Sequence, residues 1–107
     1  MQLGENQKKF VAALRAPRLK QCHGYLHTDS AGKPVPCELA ACYCTLGLAL
    51  DALDLHENRS SKLLTELCLT DLTAVKLVKM NDDEKLTFAQ IADRIEAAPA
   101  DFFTESK

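Results

Sequence analysis

The residues best suited to chemistry are the cysteines and histidines of the first half of the chain. The 107-residue sequence has five cysteines and three histidines, and six of these lie close together: Cys22, His23, His27, Cys37, Cys42 and Cys44. Thiolate and imidazole are ligands that zinc prefers, and a structural zinc site needs four of them. Because side chains alternate along a strand, His23 and His27 share a face of one predicted strand, and Cys42 and Cys44 share a face of the next if Tyr43 is extended. The candidate zinc ligands are therefore His23, His27, Cys42 and Cys44, and the alternative is separate buried thiols and solvated histidines.

Cys44 supports a second hypothesis, a nucleophilic cysteine. It falls at the predicted start of a helix, where the helix dipole lowers the pKa of a thiol and favours the thiolate. His23 or His27 would supply the base, as histidine does in cysteine enzymes. The C-Y-C sequence at 42–44 differs from the C-x-x-C of thioredoxin-like sites and gives only weak support to a disulfide. The enzyme hypothesis is thus a small cysteine-dependent or zinc-dependent enzyme.

The same stretch also offers an interaction surface that needs no chemistry. His23, Tyr25 and His27 alternate along a predicted strand and would project from one face. Aromatic side chains on an accessible face are typical of protein interfaces. Our leading prediction is a binding protein with no catalytic residue and no cofactor. Its partner is an unknown protein, and it could itself form a homodimer.

Composition narrows the classes of partner. The formal net charge of −2 gives no general attraction to nucleic acid or to anionic membranes, although five of the basic residues precede residue 21. The segment 1–10 lacks the apolar core of a signal peptide, which predicts a cytoplasmic protein with reduced thiols. An odd number of cysteines also rules out a complete set of intramolecular disulfides. A chain of this length can bury a core without metals or disulfides.

The element that must position these residues is the apolar run 44–54, in which Asp51 and Asp54 are the main polar positions. A helix that is apolar nearly all round is usually buried. About ten residues are far short of the roughly 20 that cross a bilayer. Gly47 costs roughly 1 kcal/mol relative to alanine inside a helix, so we expect it to let another backbone approach closely.

The flanking patterns predict one α+β domain over 1–107: a small β-hairpin packed on a four- to five-helix cluster with a buried central helix. The predicted hairpin arm covers about 19–43, with strands at 19–28 and 37–43 around a loop, and the helical part covers about 44–98. A loose tail at 100–107 follows, in which Phe102 and Phe103 are expected to dock. Thr70 or Asp71 and the T-x-x-Q sequence at 87–90 predict helix starts. The predicted core positions of the other helices are Phe10, Val11, Leu14, Leu63, Leu64, Leu67, Cys68, Leu72, Val75, Leu77, Val78, Met80, Phe88, Ile91, Ala92 and Ile95.

Five short motifs in this order resemble a family of small uncharacterised phage, prophage and mobile-element proteins. They are FVAALR at 10–15, KQCHGYLH at 20–27, CYCTLGLALD at 42–51, KMND at 79–82 and FAQIADRIE at 88–96. Family members combine an ALRSG-x-YKQG-x-G-x-L opening, a YCCLGVLCD centre and an LND-x-G-x-SFAEIADxIE ending. This chain differs at Cys22 and His23, in its loop at 34–36, and at 49–50, where a second central cysteine would fall. The resemblance implies no known activity, and it predicts a mobile-element accessory protein.

Overall fold

Five α-helices and three two-residue strands form within residues 2–55 and 60–104, the part of the chain that the computed structural model describes. This arrangement confirms the α+β class. The predicted start of the third helix, at Asn58 or Arg59, lies outside the described residues. The helices are α1 (Glu5–Arg15), α2 (Thr45–Ala52), α3 (Ser60–Leu67), α4 (Asp71–Asp82) and α5 (Phe88–Ala97).

The central helix α2 is buried, as its apolar composition predicts. Leu48, Ala49 and Leu50 belong to the core, and α2 packs against both α1 and α4. Gly47 has the predicted role, because a Cβ there would overlap the carbonyl oxygen of Leu26 and lie 2.9 Å from Cβ of Tyr43. The glycine therefore allows the chain before β2 to lie directly against the helix.

The sheet is smaller than the predicted hairpin. Its strands are β1 (Lys20–Gln21), β2 (His27–Thr28) and β3 (Cys42–Tyr43), and β3 lies in the middle, antiparallel to β2 and parallel to β1. The predicted strand 19–28 is thus interrupted between β1 and β2. Gly24 has a φ of 87° there, a left-handed conformation that glycine favours, and its N–H donates to Oδ1 of Asp82. This turn replaces the continuous alternation that the sequence indicates.

Helix α4 differs from its prediction in which side chains face the core. Leu77 and Met80 are buried as expected, but Leu72 is 82% exposed and Val75 is 51% exposed. The prediction that all the apolar residues of α4 form one inward stripe is therefore wrong. The reason is geometric, since Leu77 and Met80 lie on the side of the helix that packs on α2 and α5, whereas Leu72 and Val75 lie on another side.

The first and last helices, α1 and α5, pack into the core as the patterns predict. Phe10, Val11 and Leu14 of α1 and the four predicted residues of α5 are buried. Thr87 and Gln90 form the expected capping box at the start of α5, and the hydroxyl of Thr70 accepts from the Thr73 N–H at the start of α4.

Phe102 and Phe103 dock on the core, as expected. Both side chains are buried, and the Thr104 N–H donates to the carbonyl of Cys68 at 2.7 Å. The tail that is predicted to be loose therefore contacts the rest of the fold through residues 102–104. Cys68 is only partly buried, in contrast to the core position predicted for it, and it lies just beyond the end of α3 with a φ of 56°.

Candidate functional site

The sheet register separates the predicted zinc ligands. His27 pairs with Tyr43, and Thr28 pairs with Cys42. Paired residues project from the same face, and neighbours along a strand project from opposite faces, so His27 and Cys42 lie on opposite sides of the sheet. His23 is exposed in the turn between β1 and β2. Among the described residues, no three His, Cys, Asp or Glu side chains are grouped so that they could hold a metal ion.

The structure instead brings the Cys22 thiol within electrostatic reach of the thiols of Cys42 and Cys44. Burial is the main reason that the pKa of Cys22 rises from 9.0 to about 11. A hydrogen bond with the Thr28 side chain acts in the opposite direction, and the nearby thiols and Asp82 add to the rise. The Cys22 thiol donates to the carbonyl of Tyr25 at 3.3 Å, which is a contact of the neutral form. This thiol is therefore protonated at neutral pH.

Cys44 has the predicted place at the start of α2 but not the predicted pKa. It is the N-cap residue of the helix and is 8% exposed. Burial raises the pKa of its thiol above 9.0, although the backbone amides of Gly47 and Leu46 lower it in part. The expectation of a thiolate is wrong because loss of hydration disfavours the charged form more than the helix end favours it. A buried neutral thiol is a poor nucleophile.

These shifts predict slow alkylation of Cys22 and Cys44 in the folded protein. At pH 8 we expect iodoacetamide to modify Cys22 about 100-fold more slowly in the native chain than in denaturant, because a pKa two units higher leaves about 100-fold less thiolate. Peptide mass spectrometry after timed quenching measures each site. The rate should rise between pH 9 and pH 11. Rapid labelling of native Cys44 at pH 7 would contradict this assignment and restore the nucleophile hypothesis.

A buried polar network holds the sheet against the end of α4, and its centre is Asn81. This side chain is fully buried, and its Oδ1 accepts from Nε2 of Gln21 at 2.8 Å and from the hydroxyl of Thr45 at 3.0 Å. Its Nδ2 donates to the carbonyl of Cys22 at 2.9 Å and to Asp82 at 2.7 Å. The polar character of Asn81 gives no sign of this burial, which arises because the residue falls on the inward side of α4.

A cleft of about 420 Å³ is lined in part by His27, one of the predicted site residues. Arg18 and Asp51 form an ion pair at 2.8 Å in its wall, and the hydroxyl of Tyr43 accepts from the backbone N–H groups of Arg18 and Leu19. Glu38 and several apolar side chains complete the lining: Leu19, Ala40, Leu50 and Leu55. This mixture suits a polar side chain or a small molecule of mixed polarity. It contains none of the described cysteines.

The predicted interaction residues are partly accessible but do not form one strand face. Tyr25 is 51% exposed and His23 is exposed, whereas His27 is half-buried in β2. His23 and Tyr25 lie in the turn at Gly24, which ends the strand alternation. Their predicted grouping with His27 is therefore not the arrangement that the backbone adopts.

An apolar groove lies on α4, where the sequence predicts core. We call Leu72, Ala74, Val75 and Val78 the α4 face. Ala74, Val75 and Val78 line a groove of about 340 Å³ together with Leu46 of α2 and Leu63 and Leu64 of α3. The groove exists because α4 packs on α2 and α5 while α3 packs on α1. Asp71 is the one charged side chain among the described residues of its lining, so the surface is suited to an apolar partner.

No family model, curated protein or solved structure matches this chain. In the described part of the chain, none of the helices combines the length and the apolar character needed to cross a bilayer.

Proposed function

We propose that this chain is a small accessory protein of a mobile element and that it acts by binding another protein chain through the α4 face. The observation that carries the proposal is the exposure of Leu72 and Val75 beside an apolar groove. A small domain that leaves a leucine 82% exposed on a well-formed helix gains stability when a partner covers it. The mobile-element assignment rests on the resemblance of the five sequence motifs.

The groove has the form of a helix-binding site. Its apolar lining combines Leu46 of α2 with Leu63 and Leu64 of α3 and with Val75 and Val78 of α4. Amphipathic helices bind such grooves by placing side chains at i, i+3 or i+4, and i+7 into the apolar floor. The raised thiol pKa values of Cys22 and Cys44 also favour binding over a thiolate-dependent reaction.

The experiment is affinity capture from the cells that carry the element, with variants that differ only in the α4 face. We expect Leu72→Ser to weaken capture about 10- to 100-fold, since burial of a leucine side chain contributes roughly 1.5–3 kcal/mol. Leu39→Ser is the matched control, because Leu39 is 69% exposed and lies outside the α4 face. Equal loss of captured protein in both variants, or in neither, would contradict the proposal.

A further inference from the structure

The α4 face and the charges beside it form a pattern that is complementary to itself. Asp71 and Leu72 lie about one turn before Val75, and Val78 and Lys79 lie about one turn after it. Residues three or four apart lie on the same side of a helix, so these five side chains share one surface. The exposed carboxylate of Asp71 therefore lies at one end of an apolar patch, and the exposed ammonium group of Lys79 lies at the other end.

We propose that the chain that covers the α4 face is a second copy of this protein, in an antiparallel pair of α4 helices related by a two-fold axis at Val75. This inference rests on the proposed function, because it names the partner of the same face. In this register each Val75 contacts Val75 of the second copy. Leu72 lies opposite Val78 of the second copy, and Asp71 lies opposite Lys79 of the second copy.

Charge complementarity is the reason to choose a second copy in this orientation. A two-fold axis repeats each contact, so the pair has an apolar centre and an ion pair at each end. A parallel pair would place Asp71 beside Asp71 and Lys79 beside Lys79, and like charges disfavour association. Leu64 of α3 borders the same groove and extends the apolar surface beyond α4. The interface thus combines a helix pair with a continuation onto α3.

Sedimentation velocity of the purified full-length chain, from micromolar to millimolar concentration, tests the inference. We expect the wild type to reach twice the mass of the single chain. Val75→Glu places two carboxylates at the axis and should raise the dissociation constant at least about tenfold. Far-UV circular dichroism should be unchanged, because Val75 is half-exposed. A Val75→Glu chain that dimerises as strongly as the wild type would overturn the proposed surface.

A charge exchange tests the antiparallel register. The proposed dimer has two contacts between residue 71 of one copy and residue 79 of the other. Asp71→Lys and Lys79→Asp each give like charges at both contacts, and each should weaken dimerisation by about tenfold. The double variant restores opposite charges and should dimerise within about threefold of the wild type. Lys9→Asp, on the exposed side of α1, is the control for a change of total charge. Single exchanges without effect, or a double variant as weak as the single ones, would overturn the register.

The two proposals fail in different ways. A wild type that remains monomeric at millimolar concentration overturns the second-copy inference. Capture of a different protein that is still lost in Leu72→Ser but kept in Leu39→Ser would then uphold the proposed function. A monomer whose captured proteins do not depend on Leu72 overturns both.

Discussion

Replacement of Asn81 with alanine is expected to lower the free energy of unfolding by about 3 kcal/mol, because one buried and one partly buried polar group lose their partners. The Thr45 hydroxyl loses its acceptor at 3.0 Å, and the carbonyl of Cys22 loses its donor at 2.9 Å. Gln21 is less affected, because its Nε2 also donates to the carbonyl of Leu86. Urea unfolding followed by circular dichroism measures the change.

Two comparisons distinguish the loss of this hydrogen-bond network from the general effect of removing an amide side chain. Asn6→Ala is the matched control, because the Asn6 side chain donates to Glu66 in an exposed contact and its loss should cost less than about 1 kcal/mol. In a double-mutant cycle, Thr45→Val and Asn81→Ala should be less than additive, since they remove the same hydrogen bond. Additive effects, or a cost for Asn81→Ala as small as that for Asn6→Ala, would show that the network contributes little.

Gly47→Ala is expected to destabilise the protein by about 2 kcal/mol, although helix propensity alone favours alanine by roughly 1 kcal/mol. The added Cβ overlaps the carbonyl oxygen of Leu26 and lies 2.9 Å from Cβ of Tyr43. Neither atom can move easily, because the carbonyl of Leu26 accepts the Cys44 N–H at 3.0 Å and the ring of Tyr43 packs against Phe88. The sign of the change in unfolding free energy shows whether the steric overlap of the added Cβ outweighs the higher helix propensity of alanine.

The measurement for Gly47→Ala is again equilibrium unfolding, with the melting temperature as a second readout. The substitution should also loosen the contact between α2 and the segment before β2. Faster hydrogen exchange of the Cys44 amide, which donates to Leu26, would report this loosening. An alanine variant that is more stable than the wild type would mean that the backbone of Leu26 moves away at little cost.

Helix starts and several core positions follow from the sequence because they depend on neighbouring residues. The capping box of Thr87 and Gln90 satisfies amides of its own helix, so it does not depend on the rest of the fold. The buried state of α2 follows from its nearly all-round apolar composition. The close approach of another segment at Gly47 also follows from the sequence, since a glycine inside such a helix indicates a close neighbour.

The candidate site could not be predicted in the same way, because it depends on which surfaces meet. The zinc hypothesis requires His27 and Cys42 on one side of the sheet, and the pairing of His27 with Tyr43 places them on opposite sides. The nucleophile hypothesis at Cys44 uses the local helix dipole, whereas burial of the thiol in the folded chain raises its pKa. The spacing of residues in the sequence determines neither the strand register nor the burial of Cys44.

At the proposed interface, the sequence likewise does not determine which side of helix α4 packs on the core. Its apolar residues occupy two sides of the helix, and periodicity does not say which side meets the core. Packing on α2 and α5 buries Leu77 and Met80 and leaves Leu72 and Val75 exposed. The polar residue Asn81 is buried on that inward side because its partners come from β1, α2 and the turn after β1.

By itself, the sequence determined the α+β class, the buried central helix, the capped starts of α4 and α5, and the need for a small residue at Gly47. Local hydrogen bonds, propensity and hydrophobic periodicity are sufficient for these features. Only the tertiary structure decided which thiols are buried, which side of α4 is open, and that Asn81 joins the sheet to α4. Those outcomes depend on contacts between segments far apart in the chain, and the same local pattern is compatible with more than one way of packing them.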